Sequence, residues 1–170
     1  QLNLYEITAN AYYYQQSYLL SLDYFYKSLA LQKKIDTLRL HYIYNNIGCT
    51  YLELGDTLKS QKFLYKSLDG LKKAIHKNKV EEKSVEAYLV YSNLAVMEMG
   101  KKNYNKALEM FHIYDKHSLR LKDTLGLVST YQNLSNIYYA LKQLDSAAYY
   151  SKIGIRLAQK AKLSSEEAYL

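Results

Sequence analysis

The sequence repeats itself, and a chain repeating at about forty residues is confined to a small set of architectures. Tyr44-x-x-Ile47-Gly48-x-x-Tyr51 is followed by Gly55-Asp56 and then by Ser60-x-x-x-Leu64-x-x-Ser67. The same frame fits earlier on Tyr5, Thr8, Ala9 and Tyr12, with Ser21, Phe25 and Ser28. It fits later on Tyr91, Leu94, Ala95 and Glu98, with Ala107, Phe111 and Tyr114. It fits last on Tyr131, Leu134, Ser135 and Tyr138, with Ala147, Ser151 and Gly154. Tyr169 stands where a fifth leading tyrosine would fall, so many of the 21 tyrosines form a repeat signature and not a low-complexity tract.

Each unit reads as two helices. Apolar residues recur at steps of three and four, and no run alternates long enough to favour a strand. The chain has no Pro, which removes the commonest helix breaker and favours long helices. Breaks fall at Gly55-Asp56 and Asn103 inside units and at Asp36-Thr37 and Asp123-Thr124 between them. These signals predict first helices over about 3–15, 38–54, 82–100 and 124–141, and second helices over about 18–34, 57–78, 104–122 and 144–162. Ser164-x-x-Glu167 reads as a capping box opening a ninth helix, over 164–170. The recurring Ala, Gly and Ser positions let helix backbones approach at crossings, while a facing Tyr, Phe or Leu fills the remaining space.

Over essentially its whole length this pattern resembles the tetratricopeptide repeat family, most closely in the second unit with Tyr44, Ile47-Gly48 and Tyr51. The third unit departs, with Glu98 for the second aromatic and Tyr114 for a small residue, and the fourth departs with Ser151 for an aromatic. The family's closing Pro is absent, and the period exceeds the usual ~34 residues. Longer helices would absorb the excess, notably around Gly70 to Glu82, with Gly70 inside a helix. The resemblance implies an all-α, right-handed α-solenoid of antiparallel helix pairs. It would form a single domain over 1–170, with repeats at about 1–35, 36–80, 81–122 and 123–162.

In this family the first helix of each pair lines the concave surface, and the ligand-facing positions can be carried over one by one. They fall on Glu6, Asn10 and Tyr13, then on Asn45, Asn46 and Cys49. In the third unit they fall on Ser92, Asn93, Val96 and Met99, and in the fourth on Gln132, Asn133, Asn136 and Tyr139. Asn46, Asn93 and Asn133 share one repeat position. An amide offers donor and acceptor together, so such a row could pair with a peptide backbone irrespective of its sequence, or could instead brace neighbouring helices. Chaperone-binding members clamp a terminal carboxylate with two Lys, two Asn and one Arg. Here Asn10 and Asn46 match the Asn positions, but Glu6, Leu89 and Asn93 stand at the cation positions, so no chaperone-tail clamp is expected.

The chain carries 23 basic and 16 acidic residues, a net +7, which raises nucleic acid as a partner. Most Lys and Arg fall in the predicted second helices; only Arg39 and Lys83 fall in first helices, against Glu6, Glu53, Glu82, Glu86 and Glu98. A groove for nucleic acid needs the opposite arrangement. The Lys-rich stretch with Lys72, Lys73, Lys77 and Lys79 reads as a solvated helix face.

Nothing in the residues points to catalysis. His112 and His117 are spaced wrongly for a metal pair on one helix face. His41 lies ~12 Å along a helix from Cys49, too far for a nucleophile and its base. His76 sits among lysines, the six glycines are scattered, and Glu81-Glu82 suits the first turn of a helix. The single Cys excludes an internal disulfide and a cysteine-based zinc site. The charge-free stretch from Thr124 to Leu141 is too polar to span a membrane.

The expectation is a non-enzymatic scaffold that binds protein or peptide, with no cofactor or metal and no membrane span. The long period and Asp-Thr-Leu joints are similar to repeat regions of bacterial signalling proteins, which would make the chain a sensor or interaction segment of a longer protein. Both cytoplasmic and periplasmic settings fit. Two other readings stand beside it: a nucleic-acid-binding helical repeat, and a self-associating array that forms a homo-oligomer through an uncapped C-terminal end around Tyr169 and Leu170.

Overall fold

The structure is a computed structural model and describes residues 2–35, 40–76 and 85–167. It consists of eight helices: α1 (Leu2–Tyr14), α2 (Tyr18–Ile35), α3 (Leu40–Glu53), α4 (Thr57–His76), α5 (Val85–Gly100), α6 (Tyr104–Leu121), α7 (Thr124–Ala140) and α8 (Leu144–Glu167). No strand occurs among the described residues. The helices fall where the periodicity places them, with one correction. α8 runs through Ser164–Glu167 without a break, so that segment continues the eighth helix and does not open a ninth. The Asp36-Thr37 joint, Arg39, Lys77, Lys79, Glu81, Glu82, Lys83, Tyr169 and Leu170 lie outside the described residues.

The helices group into two compact units, Gln1–Asn93 and Leu94–Leu170. The core of the first unit gathers Ala9, Leu22, Phe25, Leu29, Ile43 and Ile47. That of the second gathers Ala95, Ala107, Phe111, Leu127, Tyr131, Leu134 and Ile137.

Within three pairs, one ring on the second helix is held between two rings of the first. The ring centroids of Tyr5 and Tyr12 lie 6.3 and 5.5 Å from that of Tyr24. Tyr44 and Tyr51 lie 6.0 and 5.8 Å from Phe63, and Tyr131 and Tyr138 lie 5.8 and 5.3 Å from Tyr150. The first-helix members are seven residues apart, two turns along one face, which leaves room for one flat ring between them. The second of the two contacts is stacked each time, with interplanar angles of 24°, 15° and 1°.

The third pair departs from this clasp, and its departures are coupled. Met110 stands where the others place the clasped ring, and Glu98 stands where they place the stacking aromatic. Glu98 instead accepts hydrogen bonds from Asn103 Nδ2 at 2.8 Å and from Lys106 Nζ at 3.1 Å, tying α5 to α6. Tyr114, at a position held elsewhere by a small residue, donates its hydroxyl to Asp123 at 3.2 Å. Asp123 in turn caps α7 by accepting from the Gly126 amide at 3.0 Å. A Cβ at Gly126 would meet both the Asp123 carboxylate and, at 2.6 Å, the Tyr114 hydroxyl, so the larger Tyr114 is matched by an absent side chain.

Small residues permit the close crossings. A Cβ at Gly48 would lie 2.7 Å from Leu64 Cγ, and Leu64 is fully buried. The turns within pairs follow one geometry: Gln16, Gly55, Lys102 and Lys142 share a repeat position and all take positive φ, between 59° and 75°. Each closes a Schellman motif, as when Lys142 N donates to Tyr139 O and Gln143 N to Tyr138 O, both at 2.9 Å. Only Gly55 uses the residue that this conformation favours.

Two stability predictions follow from these contacts. Phe63→Ala removes the clasped ring and should cost about 2–3 kcal/mol in urea unfolding, somewhat less than for a fully buried Phe. Phe63→Tyr, which copies the first and fourth pairs, should cost less than ~1 kcal/mol; equal losses for the two variants would contradict the clasp. Lys142→Gly should raise stability by up to ~1 kcal/mol by removing a side chain from the left-handed region, and a loss of stability would show that the turn tolerates lysine without strain.

Candidate functional site

The first helices α1, α3, α5 and α7 contain no Lys or Arg. Their polar residues are amides, hydroxyls, a few carboxylates and the buried His41, and several are already engaged. In the first unit, Tyr13 OH donates to Glu53 Oε1 at 3.4 Å, linking α1 to α3. Burial, with Cys49 and Glu53 close by, pushes the Tyr13 hydroxyl well above its ordinary pKa, so it remains a neutral donor. Glu6 accepts from Ser28 Oγ of α2 at 3.1 Å. It therefore braces its own pair.

The amides meet along α3 and α5. Asn93 Nδ2 donates to Asn45 Oδ1 at 2.9 Å, and Asn45 Nδ2 donates to Asn46 Oδ1 at 3.3 Å. Asn45 is buried, with both amide atoms engaged, so it braces helices and does not face a ligand. Asn46 and Asn93 are half-buried beside it, and Asn10 is exposed on α1. Ser92 is half-buried on α5. Burial, and secondarily the nearby Glu53 carboxylate, raises the Cys49 thiol to about 12, so it carries essentially no thiolate at neutral pH.

In the second unit the carried-over positions separate. Val96 and Met99 are half-buried and pack against the hydrophobic core of the second unit. Asn133 is half-buried and Tyr139 exposed on α7. Gln132 and Asn136 instead border a cavity of about 290 Å³ between α7 and α8, together with Ser135, Ser151, Gly154 and Ile155. Sequence reading missed this cavity, and also Glu53 as the partner of Tyr13. The signal for the cavity was present in the repeat frame, where Ser151 and Gly154 replace larger residues of the other pairs.

Among the described residues no group of three or more His, Cys, Asp and Glu is arranged to hold a metal. No helix there is long and apolar enough to cross a membrane. On the second helices, Lys27–Asp23 and Lys73–Asp69 pair at 2.6 Å one turn apart on exposed faces, as expected of solvated helix surface.

No family model matches the sequence, and no curated protein matches it. Solved structures do match its fold. BtubC of P. vanneervenii aligns with a TM-score of 0.79 at 16% identity over 95% of this chain and 64% of that one. Aspartyl phosphate phosphatase F of Bacillus subtilis aligns with a TM-score of 0.80 at 18% identity over 95% of this chain and 41% of that one. A kinesin light chain of nearly identical TPR-like repeats from Podospora anserina aligns at 0.60 and 11% identity, over 95% and 96%. This chain thus spans less than two thirds of either of the first two. The fold is an all-α array of antiparallel helix pairs of the solenoid class. More narrowly, it is a tetratricopeptide-repeat-like fold.

The joint of the third pair makes a pH prediction. Burial alone would raise the Glu98 carboxyl, but hydrogen bonds from Asn103 and Lys106, with Lys101 near, outweigh it and hold the group below the ordinary 4.5. A depressed folded value means this contact stabilises fully above pH 4.5 and is lost as pH falls through the folded value. Glu98→Gln should therefore lower stability at pH 7 by ~1–3 kcal/mol, with wild type and variant converging in acid. Parallel stability curves across that range would contradict the assignment.

Proposed function

We propose that this chain is a non-enzymatic module that binds a protein or peptide on the surface of its first helices. The observation that carries the reading is that four such helices hold no Lys or Arg while presenting Asn10, Asn46, Asn93 and Asn133 with Tyr13 and Tyr139. A surface of amides and tyrosines suits backbone hydrogen bonding and broad, rigid contact, and gives a polyanion no purchase. The TPR-like fold supports the scaffold role. One neighbour, from Bacillus subtilis, is named as an aspartyl phosphate phosphatase, and this supports placing the module in a regulatory or signalling protein of bacteria.

The partner is an extended or helical segment recognised without a cationic carboxylate clamp, since Glu6, Leu89 and Asn93 occupy the positions where cations would stand. Peptides selected from a displayed library on the immobilised chain supply the probe. Asn10→Ala with Asn46→Ala should weaken their binding in calorimetry about tenfold or more, from two hydrogen bonds at a net ~0.5–1.5 kcal/mol each. Unchanged affinity in a double variant that keeps wild-type stability would overturn the reading, as would micromolar binding of a chaperone-tail peptide.

A further inference from the structure

The turns of neighbouring helix pairs enclose a groove twice in this chain, at the same repeat positions. In the first unit the groove lies between the α1–α2 turn and Leu54, with a volume of about 310 Å³. In the second it lies between the α5–α6 turn and Leu141, with a volume of about 490 Å³. Tyr18 and Leu54 of the first correspond to Tyr104 and Leu141 of the second, so both grooves have a ring and a leucine in their walls. The rest of the lining differs in chemistry. Gln16, Ser17, Leu19 and Leu20 carry no charge, whereas their equivalents are Lys102, Asn103, Asn105 and Lys106.

The fold does not call for these cations. Lys102, and Lys142 next to Leu141, occupy the left-handed turn position with φ of 62° and 60°. Gln16 and Gly55 make the same turn with the same two backbone hydrogen bonds, so the turn does not require lysine. Any side chain is disfavoured there relative to glycine. Among the described residues neither Lys102 nor Lys142 makes an ion pair. Lys106 is paired with Glu98, yet 45% of its side chain is exposed and it lines the groove. Of the acids nearby, Glu98 is buried and already accepts from Asn103 and Lys106. Asp145, in the first turn of α8, pairs with no lysine among the described residues. The positive charge at these two turns is therefore left uncompensated by the chain's own carboxylates.

We propose that the groove between the α5–α6 turn and Leu141 docks an acidic segment of a partner protein. Carboxylates of the segment meet Lys102 and Lys142, and an apolar side chain between them lies on Tyr104 and Leu141. The exposed Asn105 amide offers a donor and an acceptor to the segment's backbone. The groove is open along one side, which suits a segment laid across it better than a small molecule enclosed by it. Nucleic acid fits less well, because binding a phosphate backbone takes cations along a track, and here they gather at one pair of turns. The groove is a separate surface from the outward side of the first helices.

The probe is a capped, fluorescein-labelled peptide with a Leu inside a run of Glu, titrated with the chain and followed by anisotropy. It should bind saturably, and more weakly as salt rises. Lys102→Gly with Lys142→Gly removes both charges and relieves both turns, so the fold should be retained; circular dichroism and urea unfolding check this. Affinity should fall about three- to tenfold with the loss of two exposed ion pairs. Lys102→Gln with Lys142→Gln should lose as much, which assigns the effect to charge and not to the backbone. Gln16→Gly, the same backbone change beside the uncharged groove, should leave affinity as it is. Three results would overturn the proposal: no saturable binding by the wild type, undiminished affinity in either lysine double variant, or a loss from Gln16→Gly equal to theirs. Preference for a single-stranded oligonucleotide of equal charge, lost in the same variants, would overturn the assignment of a protein segment as the occupant.

Discussion

A flat ring on the second helix, gripped between two first-helix residues that stand two turns apart, sets the distance and rotation at which three of the four helix pairs pack. Tyr24, Phe63 and Tyr150 each fill that place. Because one member of the grip is stacked and the other tilted, the ring resists sliding along the helix as well as rotation about it. The small residues Ala9, Gly48 and Ala95 then allow the helices to close on one another. Where the third pair lacks the ring, hydrogen bonds from Asn103 and Lys106 to Glu98 hold α5 and α6 together in its place.

This division of labour leaves the first helices free to differ on their outward side. Their inward positions are fixed by the clasp and by the crossings, while the outward ones carry amides, tyrosines and no cation. Part of that polar surface is spent internally. The Asn93–Asn45–Asn46 chain and the Tyr13–Glu53 bond join consecutive first helices, so the surface offered to a partner is braced before binding. A pre-ordered surface loses less conformational entropy when a ligand arrives.

The fold was legible because period and punctuation agree: apolar steps of three and four, breaks at Gly55-Asp56 and Asp123-Thr124, and the tyrosines in frame. The failures were local and have physical causes. Ser164 and Glu167 have the spacing of a capping box, but a helix already under way continues through such residues when nothing stops it. The turns at Gln16, Lys102 and Lys142 adopt a glycine-like conformation without glycine, so composition did not reveal them. Asn45 and Asn46 are adjacent and look alike in sequence, yet one is buried as a brace and the other is half-open. Which amide is spent internally depends on what packs over it, and that is a property of the neighbouring helix.

The clasp is tested most directly by a double-mutant cycle on Tyr51 and Phe63, using Tyr51→Leu, Phe63→Leu and the double variant. Phe63 has no hydroxyl, so the coupling between the two reports ring packing alone. The account predicts that the double variant loses ~0.5–1.5 kcal/mol less than the sum of the two single losses. Strict additivity would contradict it, because the stacked pair would then contribute nothing beyond separately buried surface.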